Sequence, residues 1–175
     1  MVVAVDIPRF ETERLILRAP GVADTAPMLG FLASDRAEFY GGPMNASDGW
    51  HKFSAYVGQW VLRGYGMFSV ALRDTDQCIG MAGPFHPDHF DEPEMSWLLT
   101  SAEFERKGYA AEACRGVLDH LFTTHGWRSV ISYIDRANAP SRQLAERLGA
   151  RFEAAVDDLV PNCDSYRHFA AGPAA

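Results

Sequence analysis

Residues 94–122, EMSWLLTSAEFERKGYAAEACRGVLDHLF, decide the reading of this chain. Their first part alternates, with Glu94, Ser96 and Leu98 on one side and Met95, Trp97 and Leu99 on the other, which is the period of a strand. Their last part repeats at three and four residues. Ala110, Ala113, Val117 and Leu121 form one helical face, widened by Cys114, Leu118 and Phe122. Between the two lies a short basic turn, Arg106-Lys107-Gly108-Tyr109-Ala110, which feeds the strand into the helix's first turn.

A strand that enters a helix through a glycine turn aims several unpaired backbone N–H groups, and the positive end of the helix dipole, at one spot. Gly108 lets the backbone approach a ligand closely, and Arg106 and Lys107 add charge, so a phosphate or pyrophosphate is the natural guest. An ordinary strand-to-helix connection with a solvated basic turn carries the same local pattern. Two other phosphate loops do not fit: the turn has neither the four-residue glycine spacing and Gly-Lys-Ser/Thr of a P-loop nor a G-x-G-x-x-G dinucleotide fingerprint.

The turn resembles the acyl-CoA loop of the GNAT superfamily of N-acetyltransferases, written Q/R-x-x-G-x-G/A and here Glu105-Arg106-Lys107-Gly108-Tyr109-Ala110. The following Ala111-Glu112-Ala113 is similar to the RimJ/RimL-like branch, as is the opening word TERLILR at residues 12–18. Glu105 departs from the pattern by placing an acid where the family has Gln or Arg. A second motif stands some thirty residues on. Asn138, Ser141 and Leu148-Gly149 match N-x-x-S followed by LG, and Asn138 and Gly149 also punctuate a helix as N-cap and C′ residues. The resemblance covers residues 12–168. It implies an α/β fold with a mixed sheet of about seven strands and four helices, as one domain over residues 1–175 with residues 1–8 and 171–175 frayed. It implies acetyl-CoA as acyl donor and no metal. Leu98, Leu99 and Thr100, the loop residues Arg106, Lys107, Gly108, Tyr109 and Ala110, and Asn138, Ser141 and Arg142 would bind that donor.

Composition agrees with a globular domain: 175 residues, 47% hydrophobic and 22% charged. A formal net charge of −7 speaks against general nucleic-acid binding, though Arg106, Lys107, Arg115, Arg136 and Arg142 can still offer local positive charge to phosphates. No apolar run approaches membrane-spanning length, and the start, MVVAVDIPRF, has no basic residues ahead of its apolar run. Three widely spaced cysteines suit neither a disulfide framework nor a metal knuckle, so a reducing cytoplasm is the expected home. Homodimers are common among proteins similar to this one.

Residues 13–18 read as a strand, after which Asp24 is placed to cap a helix carrying Met28, Leu29 and Leu32. Ser47 is placed to cap a second helix with Trp50, Phe53, Val57 and Trp60 at helical spacing. Residues 67–72 and 78–85 suggest a hairpin, residues 130–134 a strand, and residues 151–156 and 165–170 a closing pair. The segment His86-Pro87-Asp88-His89 invites a metal reading. Its spacing matches no zinc motif and its prolines oppose a helix, so a solvated acidic loop is expected. In the resembled family the first two helices and their connection wall the acceptor site, which nominates Phe39, Tyr40, Trp50 and Phe53 for substrate binding.

The implied chemistry can be sized. At pH 7, deprotonating an α-amino group costs about 1 kcal/mol and a lysine amine roughly 4.6 kcal/mol. Glu94 is the candidate base, because the family's base often lies on the strand before the loop. Backbone N–H groups around Leu98 and Leu99 would steady the carbonyl oxygen where the strand splays from its neighbour. Many relatives protonate the leaving sulfur with a tyrosine near the middle of the last motif, where this chain has Ala145, so Ser141 is the expected substitute. The acceptor is then a primary amine, first a protein N-terminus and alternatively a small molecule. A non-catalytic acyl-CoA-binding or interaction module is the rival class.

Overall fold

The computed structural model describes residues 5–171. Among these residues eight strands form one sheet: β1 (Phe10–Glu11), β2 (Leu15–Arg18), β3 (Phe68–Leu72), β4 (Cys78–Phe85), β5 (Glu94–Leu99), β6 (Ser129–Asp135), β7 (Arg151–Ala155) and β8 (Cys163–Phe169), in the order β1-β2-β3-β4-β5-β6-β8-β7. Four α-helices among the described residues accompany it: α1 (Thr25–Leu32), α2 (Ala46–Arg63), α3 (Tyr109–Thr123) and α4 (Ala139–Arg147). The α/β expectation holds; the eighth strand is the two-residue β1, too short to show a period in sequence.

All neighbouring strands run antiparallel except β5 and β6, which are parallel. A parallel connection needs a crossover, and α3 supplies it. The central strands β3, β4 and β5 are buried on both faces, whereas the edge strand β7 is exposed along its length. Leu15, Leu17, Val70, Ile79 and Trp97 pack with Val117 and Leu121 of α3, while Met81 and Leu98 pack with Met28, Phe31 and Leu32 of α1 and Phe53 and Tyr56 of α2. The opposite faces taken by Trp97 and Leu98 are the alternation read from sequence. β4 and β5 approach so closely that a Cβ on Gly80 would lie 2.2 Å from the Leu98 carbonyl oxygen, so no larger residue fits there.

Two caps differ from expectation. Asn45, not Ser47, caps α2, accepting from the Asp48 N–H at 2.9 Å. Asp24 stands at the N-cap position of α1 but makes no side-chain cap bond. Its carboxylate is buried and accepts from Arg18 at 2.8 and 2.9 Å, from the Gly21 N–H at 2.8 Å and from the Ser69 hydroxyl at 2.7 Å. Burial would raise its pKa, but these donors hold it below the usual range. A buried carboxylate takes the charged partner in preference to the cap.

Most of the expected frayed ends, residues 1–4 and 172–175, lie outside the described residues, and Val5 and Ile7 pack against the core. No helix among the described residues is long and apolar enough to cross a membrane. No cluster of three or more potential metal-binding side chains occurs among the described residues. His86 is engaged elsewhere, its ring nitrogens meeting the Tyr65 hydroxyl at 2.6 Å and the Phe90 carbonyl oxygen at 2.9 Å.

Candidate active site

β5 and β6 touch and then part. Their parallel register is confined to Glu94↔Ile131. One residue on, the Ser132 hydroxyl donates to the Met95 carbonyl at 2.7 Å, and His168 Nε2 lies 3.1 Å from that hydroxyl. Because Ser132 spends its proton on Met95, the imidazole donates through Nε2–H. Burial pushes the His168 pKa down to about 4, so the ring stays neutral. Side chains thus replace the next backbone bond.

Past that point the inner edge of β5 is free of β6. The Thr100 N–H donates to the Ile79 carbonyl at 2.9 Å, and Leu98 opposite Met81 shares its phase, so both direct their N–H groups toward β4. Of the expected donors, only Leu99 faces the gap, joined by Trp97. The carbonyls of those two residues take side chains from residues 35–40: the Tyr40 hydroxyl donates to Trp97 and Arg36 donates to Leu99 at 3.2 Å. Arg36 also pairs with Glu105. The acid that departs from the family pattern therefore tethers a cation beside the loop, a pairing across 69 residues that no sequence window shows.

The loop has the geometry an anion site requires. Arg106 (φ 56°) and Gly108 (φ 84°) are left-handed, and Gly108 occupies the N-cap position of α3. The Glu112 N–H donates to the Gly108 carbonyl at 3.0 Å, while the N–H groups from Lys107 to Ala111 have no partner among the described residues. The two RimJ/RimL-like words meet here. Glu112 accepts from the Thr12 hydroxyl, the Arg14 N–H at 2.7 Å and Arg14 Nε at 2.7 Å, and Arg14 also donates to the Lys107 carbonyl at 2.9 Å. The Arg14 guanidinium lies 4.6 Å from the Tyr109 ring centre. Of the expected basic cluster, Arg136 is taken by Asp157 and Asp164, each at under 3 Å, and Arg142 donates to the Arg136 carbonyl.

A cleft of about 470 Å³ opens between β5, β6, α2 and residues 39–41, within the range of small-ligand sites. Phe39, Tyr40, Glu94, Asn138 and Ser141 line it as expected. Trp50 and Phe53 do not: Phe53 is buried in the core at 4% exposure, and Trp50 points to solvent at 51%. Helical spacing identified the right helix but not its cleft face, which carries Lys52 and Tyr56 instead. The Asn138 side chain accepts from the Ser141 N–H at 3.2 Å, capping α4 and leaving the Ser141 hydroxyl without a partner among the described residues. Ala145 is fully buried, so its side chain faces the core and not the cleft.

Glu94 sits at the fork. Burial raises its pKa to about 7, opposed by the Tyr133 N–H, 3.4 Å from Oε2, and by the charge of Lys52. Lys52 is shifted the other way, its ammonium disfavoured by burial and only partly supported by Glu94. Burial also holds the Tyr40 and Tyr56 hydroxyls protonated, far above their ordinary range.

A profile of the acetyltransferase (GNAT) domain matches residues 14–151. The crystal structure of an acetyltransferase from Agrobacterium tumefaciens strain C58 superposes with a TM-score of 0.88 at 33% identity, covering 97% of this chain and 99% of that one. RimL, a ribosomal-protein α-N-acetyltransferase in complex with coenzyme A, shares the fold with a TM-score of 0.72 at 13% identity, covering 90% and 95%. The uncharacterised N-acetyltransferase YnaD of Bacillus subtilis is 29% identical over 96 residues, which span 54% of this chain and about half, 55%, of that protein. With the loop, the forked strands and the matched domain on one frame, the chain belongs to the GNAT acetyltransferase family.

Proposed function

We propose that this protein transfers the acetyl group of acetyl-CoA to a primary α-amine by direct attack in a ternary complex. A protein N-terminus is the first acceptor class. The observation that carries this reading is Glu94, a carboxylate brought to about pKa 7 at the point where β5 and β6 part, inside a cleft. A base of that strength stands about one unit below an α-amine and more than three below a lysine amine, so the α-amine is the proton donor it matches.

Each step has a group to perform it. The free N–H groups of residues 107–111 hold the pyrophosphate of the donor, and Gly108 keeps their approach open. The amine attacks the thioester carbonyl carbon as Glu94 takes its proton. The Trp97 and Leu99 N–H groups, facing the gap, receive the negative charge that develops on the carbonyl oxygen, a contribution of about 3–4 kcal/mol for one well-placed donor. The carbon–sulfur bond breaks and the sulfur leaves as a thiolate, to which the Ser141 hydroxyl donates a hydrogen bond; with a pKa near 8.5 the thiolate takes up a proton from solvent afterwards. The cleft's volume favours a small amine as the second acceptor class.

The test mixes the protein with acetyl-CoA and a panel of peptides with free N-termini, reading thiol release and acetylated product by mass. Glu94→Gln should lower kcat by about 10²–10⁴-fold with acetyl-CoA affinity unchanged. Equal rates for the two proteins would remove Glu94 from the chemistry, and an absence of transfer to every amine would sink the proposed activity.

A further inference from the structure

Lys52 is the part of the cleft that acyl transfer leaves unexplained. It rises from α2, two helical turns from the aromatic Trp60, with Nζ 5.6 Å from the ring centre of Tyr56 and 5.1 Å from that of Phe85. It lines the same cleft as Glu94 yet forms no ion pair with any carboxylate among the described residues. Two ring faces support an ammonium through their quadrupoles. That does not replace the hydration it has lost, and its ordinary pKa is lowered accordingly. An unpaired, partly dehydrated cation at a binding surface needs a partner, and within the cleft Glu94 is occupied by the Tyr133 N–H and by its expected role as base.

The charges of the cleft form a pattern. The cleft brings the Lys52 ammonium together with Glu94, while its other lining carboxylate, Asp135, accepts from the Ala137 N–H at 2.8 Å and the remaining walls include Phe39, Phe85, Phe90 and Tyr133. A guest with one cationic and one anionic end fits both at once, its amine against Glu94 and its anion against Lys52. A polyamine would set a second cation against Lys52 and lose that contact to repulsion. We propose that Lys52 recognises the acceptor: the acceptor carries a carboxylate a few atoms from its reactive amine, and Lys52 binds that carboxylate. This rests on the transfer activity proposed above and narrows its substrate. Two sources supply the chemistry, a free amino acid through its α-carboxylate or a polypeptide N-terminus through an acidic first side chain.

The experiment uses two matched pairs with the intact protein, Lys52→Met and Lys52→Arg: phenylalanine against phenylalaninamide, and a glutamyl-first against a glutaminyl-first peptide amide. For each pair the ratio of kcat/KM values is measured. Dividing the wild-type ratio by the Lys52→Met ratio cancels any difference in amine basicity between the members. That quotient should reach at least tenfold for the pair that carries the true source, expressed mainly in KM, and Lys52→Arg should recover most of it. A quotient near one for both pairs would overturn the proposal while leaving the transfer activity standing. Equal loss on all four acceptors in Lys52→Met would also overturn it, by showing a structural role. No transfer to any of the four by wild type, or to the peptide panel above, would remove the activity and this inference together.

Discussion

At residues 107–111 the unpaired groups are backbone N–H groups carried by one continuous segment. The cleft is lined mainly by side chains from separate elements: Tyr40 from residues 35–40, Lys52 and Tyr56 from α2, Glu94 from β5, Tyr133 from β6 and Ser141 from α4. The difference sets what each region tolerates. A backbone site depends on conformation, so the acid at Glu105 leaves the left-handed Arg106 and Gly108 in place and is absorbed by Arg36. A side-chain site depends on the identity and environment of each group, and the surrounding elements raise the Glu94 pKa to about 7 by dehydrating it.

The largest effect should come from the cleft. Beyond the loss of turnover in Glu94→Gln, the intact enzyme's kcat/KM should fall along an acid limb with an apparent pKa near 7, because the base proposed at Glu94 would act when ionised and burial raises its pKa to about 7. Rates from pH 5 to 9 check this, and a limb near pH 4.5, the ordinary value, would contradict it. Next in size, Lys107→Glu combined with Gly108→Glu should weaken acetyl-CoA binding by about 100-fold in calorimetric titration. It forces a Cβ into a left-handed position already 3.3 Å from Arg14 and sets carboxylates against the phosphates. Lys107→Ala alone should cost less than about fivefold if the backbone carries the site. A large loss there would erase the contrast between the two regions.

The same carboxylate should reveal a conflict between activity and stability. Glu94 binds its proton more tightly in the folded chain, so folding stability falls as pH rises from about 4.5 to about 7. The shift corresponds to about 3 kcal/mol, reduced because the carboxylate is partly open to the cleft. Glu94→Gln should therefore raise stability by about 2 kcal/mol at pH 8 and change it little at pH 4, read by urea denaturation at the two values. The smallest effect is at the loop's anchor. Burial would raise the Glu112 pKa, but Thr12 and Arg14 outweigh it and hold it below 4.5. Its contribution is present above that value and lost as pH falls through the lowered one. A double-mutant cycle of Arg14→Ala and Glu112→Gln should give a coupling of about 1 kcal/mol at pH 7, diminishing under acid.

Where a residue's structural task follows from its neighbours in sequence, a short stretch of sequence carries it. The hairpin of β3 and β4, the strand–turn–helix of residues 94–122 and the cap of α4 by Asn138 are local, and each stands as expected. Failures cluster where a side chain had two options. Asp24 had the spacing of a cap and took a buried arginine; Trp50 and Phe53 had helical spacing and lay off the cleft face. Periodicity reports which residues share a face but not what that face meets.

By itself, then, the order of amino acids determined the elements, the glycine turn that opens α3 and the kinship with GNAT acetyltransferases, because strand alternation, helix period and loop backbone are written within spans of a few residues. Tertiary structure alone decided that β5 and β6 part after one register pair, that Arg36 answers Glu105, that Thr12 and Arg14 brace the loop through Glu112, and that Lys52 shares a cleft with Glu94. Those facts depend on which surfaces lose water together. Desolvation and through-space charge are properties of the packed assembly, and no single segment holds them.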